Sequence, residues 1–259
     1  MRLHVVSDVH GRLDALARSA DGADALVCLG DLVLFIDYED FSAGIFPTLF
    51  GSDRTRQYVE LRTANRFREA HEMSARWWAD LLERDGRDRW SIMRELVAQQ
   101  YAATFAAMPT PAYLTYGNVD VPALWEPNLR PGHQVLDGQV VDIDGLRFGF
   151  VGGGLVSPMR TPYELDEDEY AAKVEAIGEV DVLCAHLPPA LPELCYDVVA
   201  RRFEIGSRAI LDHVRRTQPR AVVFGHVHQP LVARARIGRT ECVNVGHFRA
   251  RQAPFALSW

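Results

Sequence analysis

Several short apolar runs in this chain end in residues that bind cations well. Residues 3–6 lead into Asp8-Val9-His10, 25–29 into Gly30-Asp31, 112–116 into Gly117-Asn118, 180–185 into His186, and 221–224 into Gly225-His226-Val227-His228. The side chains are carboxylate, carboxamide and imidazole, with no thiolate among them. That donor set suits Mn, Fe, Zn or Ni and supplies more nitrogen than Mg favours. Two divalent cations about 3.5–4 Å apart can clamp the attacking and leaving oxygens of an in-line displacement at phosphorus, and the water between them becomes acidic enough to act as a bridging hydroxide near neutral pH. Such a pair needs a shared carboxylate, and Asp31 is the natural candidate. His226 and His228 are two residues apart, a spacing that lets one imidazole reach each cation from a strand-end loop.

The apolar runs read as buried strands, and each polar cluster sits at a carboxyl end. In open α/β sheets that edge is where ligands bind, because loops leaving it converge while the strands hold them rigid. Any one motif has an ordinary reading: Asp-x-His after a strand serves as a turn or helix cap, and His186 before Leu187-Pro188-Pro189 as a loop histidine. Packing does not explain all of them together.

The ordered set Asp-x-His, Gly-Asp, Gly-Asn, lone His and Gly-His-x-His resembles the calcineurin-like metallophosphoesterase superfamily, from residue 3 to about residue 246. The resemblance implies that Asp8, His10, Asp31 and His228 hold one metal and that Asp31, Asn118, His186 and His226 hold the other, with Mn²⁺ expected and Fe, Zn or Ni accepted. It implies catalysis through Asp31 and Asn118 with the bridging hydroxide. It also implies a four-layer α/β/β/α sandwich of two mixed sheets with a helical cap insertion; periodicity alone gives a mixed α/β fold. One position departs from the pattern. Where the superfamily has Gly-Asn-His-[Asp/Glu], this chain has Gly117-Asn118-Val119-Asp120, and valine has no proton to donate. General-acid help is usually worth about 10²–10⁴-fold; superfamily members similar in this respect, with a small residue after the Asn, lean toward phosphodiesters, so the resemblance implies a phosphodiesterase. The alternatives are a phosphomonoesterase or protein phosphatase, and a non-catalytic metal-binding scaffold.

Composition agrees with a cytoplasmic enzyme. The 259 residues, 48% of them hydrophobic, can bury a substantial core and fit one large domain over residues 1–259. No apolar run is long enough to span a membrane, and the amino terminus enters a strand without a charged leader. Cys28, Cys184, Cys195 and Cys242 form no paired spacing, and the first two lie inside strand runs as small core residues. A net charge of −7 argues against broad nucleic-acid binding. The expected partner is a small phosphoester, a nucleotide among the candidates, and the cap offers a surface for a homo-oligomer.

A helical excursion at about 37–108 separates the Gly-Asp and Gly-Asn motifs, and such caps commonly set substrate choice. Residues 37–51 read as an aromatic loop that would roof the site, 55–85 as one helix, and 89–107 as a second carrying the stripe Trp90, Met93, Val97, Tyr101, Phe105 and Met108. Trp77, Trp78 and Trp90 are expected to pack. Arg54, Arg56, Arg62, Arg66 and Arg68, interleaved with Glu60, Glu69, Glu72 and Asp80, read as a solvated face. Beyond the cap come a hairpin turning at Asp144-Gly145, a Gly152-Gly153-Gly154 run that permits close backbone approach, a helix over 166–177, and another capped by Ser207. His4, His71, His133 and His213 read as ordinary histidines, and His247 as a loop histidine beside the site.

Overall fold

Every residue of Val182–Ala185 is buried, yet on alternate sides: Val182 and Cys184 join one apolar cluster, Leu183 and Ala185 another. Period-two alternation with both faces apolar makes a strand that must be covered above and below. The computed structural model describes residues 1–259 and meets that demand with two facing sheets.

In chain order the elements are β1 (Arg2–Val6), α1 (Leu13–Ala17), β2 (Ala25–Cys28), α2 (Ile45–Phe50), α3 (Ser52–Thr63), α4 (Phe67–Asp85), α5 (Arg89–Ala107), β3 (Ala112–Leu114), β4 (His133–Val135), β5 (Gln139–Ile143), β6 (Leu146–Val151), β7 (Gly154–Leu155), β8 (Glu164–Leu165), α6 (Glu167–Ala176), β9 (Val182–Ala185), α7 (Pro192–Cys195), β10 (Tyr196–Asp197), β11 (Arg202–Phe203), α8 (Arg208–Thr217), β12 (Ala221–Phe224), β13 (Arg234–Ile237), β14 (Thr240–Asn244), α9 (Phe248–Arg251) and β15 (Phe255–Ser258). They cluster into two units, Met1–Leu32 with Thr104–Trp259, and Val33–Ala103.

The first unit holds both sheets. One has the order β15-β1-β2-β3-β4, with β1 to β4 parallel; the other has the order β13-β14-β12-β9-β6-β5, parallel through β14, β12, β9 and β6. Register brings the strand ends level: Val6 pairs with Cys28 and Cys28 with Leu114, so the loops carrying Asp8, Asp31 and Asn118 leave one edge together. Val151 pairs with Ala185 and Phe224 with Asn244, which does the same for His186, Gly225 and the segment after Asn244. Between the sheets lie Leu3, Val5, Val27, Leu29, Phe148, Phe150, Val182, Cys184, Val223 and Val243. Outside the second sheet, Tyr170 and Val174 of α6 and Ile210 and Val214 of α8 cover Leu183, Val222 and Phe224. On the first sheet His4 faces α1, its Nδ1 lying 2.8 Å from the Ser19 carbonyl oxygen.

Local chemistry sets the boundaries. Asp144 (φ 53°) and Gly145 (φ 77°) turn β5 into β6 with two positive φ angles, as a tight hairpin of matching twist requires. Asp166 and Glu169 close a reciprocal capping box on α6, and the Ser207 hydroxyl accepts the Ile210 N–H at the start of α8. Lys173, the only lysine, reaches from α6 to Asp137 at 2.9 Å, while Asp137 accepts the Gly152 N–H at 2.8 Å and fixes the glycine loop. No helix is long and apolar enough to cross a membrane.

The second unit departs from the sequence reading in three ways. Residues 55–85 are two helices, because Asn65 adopts φ 58° and ends α3, which resets the helical phase. The buried side of α4 carries Ala70, Met73, Trp77, Trp78, Leu81 and Leu82, and His71 and Ala75 face solvent. Part of the expected loop 37–51 is α2, whose Phe46 and Phe50 pack with Trp77 and Trp78 as this unit's core. Trp90 begins the α5 stripe in sequence but is 57% exposed. The arginines are used within the unit: Arg66 pairs with Glu69 and Arg68 with Glu72, while Arg54, Arg56 and Arg62 lie over Trp77, Phe41 and Tyr58.

Candidate metal centre

Asp8 (φ 58°), His10 (φ 40°), Asp31 (φ 56°) and His226 (φ 67°) all have left-handed backbone, which costs non-glycine residues of order 1–3 kcal/mol each. The surrounding hydrogen bonds hold them there. Asp8 N–H donates to Gly30 O and His10 N–H to Asp31 O, both at 3.0 Å, and His226 N–H donates to Asp8 Oδ2 at 3.0 Å.

All seven residues singled out as ligands meet at this edge. Asp8 Oδ1 faces His228 Nε2 at 3.3 Å, and the donor atoms of Asp8, His10 and Asp31 lie within 4.8 Å of one another. On the other side Asn118 Oδ1 lies 3.0 Å from both His186 Nε2 and His226 Nδ1. Asp31 stands between: its Oδ2 is 3.9 Å from His10 Nε2 and 3.5 Å from His186 Nε2. Asp31 Oδ1 accepts the Val119 N–H at 3.0 Å, which fixes the carboxylate.

The donors fit cations. Asp8 Oδ1 is buried and meets no hydrogen-bond donor besides the His228 imidazole at 3.3 Å. Burial works to raise the Asp8 pKa, but the imidazoles of His228, His186 and His10 outweigh it and hold the carboxyl well below its ordinary value. Burial pushes His226 down to about 3, so its imidazole is neutral and free to offer a lone pair. His186 Nδ1 lies 2.9 Å from the Leu29 carbonyl, which can only accept, so Nδ1 carries the proton and Nε2 presents a lone pair. Asn118 Nδ2 donates to Thr161 Oγ1 at 3.0 Å, and the Thr161 hydroxyl donates to Glu164 at 2.7 Å; Oδ1 therefore points inward. A lone pair on nitrogen thus faces a carboxamide oxygen at 3.0 Å, an arrangement that a cation between them would stabilise.

The family model for calcineurin-like phosphoesterases matches residues 80–230, more than half of the chain. The chain belongs to this family. Asn118, His186, His226 and His228 fall inside the matched span, and Asp8, His10 and Asp31 precede it. The calcineurin-like fold is built here as two mixed sheets with helices, as expected, and the family chemistry is metal-dependent hydrolysis of phosphoesters. No match was found among curated proteins.

Within this calcineurin-like frame, two glycine positions decide how closely the sheets approach. A Cβ on Gly225 would overlap Ser7 and Asp8, and one on Gly154 would meet Asn118 Cβ at 2.6 Å. The glycine run is thus a place of close backbone approach, with Gly153 N–H donating to Tyr116 O at 2.8 Å. Asp120, after Val119, is fully buried and accepts N–H bonds from Asp31 and Gly117 at 2.8 Å and Leu32 at 3.0 Å, which ties the Gly-Asp loop to the Gly-Asn loop. Burial and the Asp31 charge push its pKa up to about 7 against those three donors.

The sequence reading passed over Thr161 and took His247 for a loop histidine beside the site. Thr161 carries no motif; only the fold brings it to Asn118. His247 did carry a signal, since Gly246-His247 follows a strand just as Gly225-His226 does. Its ring stacks on His228 at 3.8 Å with 7° between planes and lies 5.8 Å from His10. One nitrogen of each of His10, His228 and His247 falls within 4.8 Å of the others, so His247 is part of the cluster.

Proposed function

We propose that this chain is a two-metal phosphodiesterase acting on a small phosphodiester. The observation that carries the two-metal reading is the position of Asp31 Oδ2 between His10 Nε2 and His186 Nε2, one carboxylate oxygen shared by two donor sets. Asp8, His10, Asp31 and His228 would hold one cation, and Asp31, Asn118, His186 and His226 the second, with Mn²⁺ favoured and Fe, Zn or Ni suited to the same donors. When bound, the cations acidify the attacking water and polarise the phosphoryl oxygens. The residues fix the geometry. Asp31 would offer one oxygen to both donor sets, and Val119 N–H holds that carboxylate by the other. Asn118 presents oxygen alone because Thr161 holds its amide nitrogen.

Preference for diesters rests on Val119, whose side chain offers no proton to a leaving group and which departs from the superfamily pattern in the way that diester-cleaving members do. Four buried cysteines, all free, support a reducing, cytoplasmic setting. The test is hydrolysis of paired aryl phosphodiester and phosphomonoester analogues by metal-stripped protein refilled with Mn²⁺, beside Asp31→Ala. Diester turnover well above monoester, lost in the variant, is expected. Monoester preference would make the protein a phosphatase. Full activity and metal content in Asp31→Ala would end the two-metal mechanism, and no turnover of either analogue would leave a metal-binding scaffold.

A further inference from the structure

His247 lies at the end of β14, and its backbone is clamped between both ligand loops. Phe248 N–H donates to Ser7 O at 3.0 Å and Arg249 N–H to Asp8 O at 3.1 Å, while Arg249 Nη1 donates to His10 O at 2.8 Å. From the other side Gly246 N–H donates to Asn244 Oδ1 at 2.8 Å, and Asn244 Nδ2 donates to Val227 O at 2.9 Å. A residue fixed at both ends in this way is positioned as firmly as the ligands beside it. Yet its Nε2 is buried with no hydrogen-bond partner. Leaving such a donor unsatisfied costs about 1–3 kcal/mol, which a ligand group would recover.

The imidazole does not fit as one more ligand of the His228 cation. Stacked rings with centroids 3.8 Å apart and 7° between planes keep their in-plane lone pairs in two separate, nearly parallel planes, and these cannot both point at one ion at about 2.0–2.1 Å from each nitrogen. A parallel ring beside a ligand ring can instead meet an oxygen of the molecule that the cations hold. Position 119 is the place where such an imidazole is missing, and it follows β3 in the first sheet; His247 follows β14 in the second.

We propose that His247 donates a hydrogen bond from Nε2 to a phosphoryl oxygen of the substrate, supplying from the second sheet the contact that Val119 cannot make from the first. This rests on the phosphoesterase reading above, and it makes His247 a catalytic residue in the sense of touching substrate.

Three variants separate the contact from the stacking. His247→Phe keeps a ring against His228 and removes the nitrogens, His247→Gln keeps an amide N–H near the Nε2 position, and His247→Ala removes both. The readouts are bound metal by mass spectrometry, the dissociation constant of inorganic phosphate for Mn²⁺-loaded protein by calorimetry, and kcat and KM on the aryl diester. In His247→Phe, metal content should match wild type, phosphate should bind at least tenfold more weakly, and kcat/KM should fall about 10²-fold; His247→Gln should regain part of both. Unchanged phosphate affinity in His247→Phe with metals intact would overturn the proposal, as would loss of metal in that variant. A wild type that binds phosphate but hydrolyses no phosphoester would sink the proposed function while phosphate affinity still judged His247.

Discussion

His186 Nε2 and Asn118 Oδ1 lie 3.0 Å apart, and neither can donate to the other, because the Leu29 carbonyl and the Thr161 hydroxyl fix the proton and the amide the opposite way round. Adding Mn²⁺ should therefore stabilise the protein strongly. At about 100 times Kd the gain is about 2.7 kcal/mol, or roughly 5–10 °C in Tm for a chain of this size. Asn118→Ala should lose part of that gain together with one bound cation. Thermal unfolding along a Mn²⁺ titration, with bound metal counted in parallel, checks this; an unmoved Tm would contradict it.

Thr161 orients the Asn118 amide, a proposed ligand, without facing the donor cluster itself. Thr161→Val removes the acceptor for Asn118 Nδ2, frees the amide to turn its nitrogen inward, and should weaken metal binding about 10–100-fold with little change in folding stability. Thr161→Ser should restore the affinity. If Val and Ser variants bind Mn²⁺ equally well, the hydroxyl has no part in setting the amide.

At Gly225 the loop after β12 runs directly against Ser7 and Asp8 of the first sheet. In Gly225→Ala the new methyl overlaps Ser7 and Asp8, which should cost about 1–3 kcal/mol of stability and displace a ligand carboxylate. Urea unfolding of metal-free protein reads the first effect, and metal affinity the second. An alanine variant with wild-type values in both would show that the loops yield.

His213 on α8 is 1% exposed, and both its nitrogens lack partners. Burial and Arg216 lower its pKa, and Glu175 opposes them. Because the folded pKa lies below the unfolded value, the unfolded chain takes up the proton first, and stability falls as pH drops below about 6.5. His213→Leu removes that contribution, so its advantage over wild type should widen from pH 7 to pH 5. Urea unfolding in chelator across this range checks the sign, and a constant difference would exclude His213 as the source.

Much of the site was legible because its grammar is local. Asp8, His10, Asp31, Asn118, His186, His226 and His228 each come within a few residues of the end of an apolar run, and a strand delivers the residues after it to its own carboxyl edge. The parallel register of β1 to β3 and of β9, β12 and β14 turns those local endings into one edge. The helical unit was less legible. A single positive φ at Asn65 splits the run into two helices, and nothing in the polar run around it announces that break.

The sequence by itself determined which atoms could bind cations and at which strand ends they stand, since residue type and apolar periodicity are properties of short segments. Tertiary structure alone decided that His247 stacks on His228, that Thr161 orients Asn118, and that Asp120 joins two loops 88 or more positions apart in the chain. Those contacts join segments whose separation along the chain carries no period or spacing: strand pairing within each sheet brings His247 to His228 and Asp120 to Asp31, and the approach of the loop after β7 to the loop after β3 brings Thr161 to Asn118.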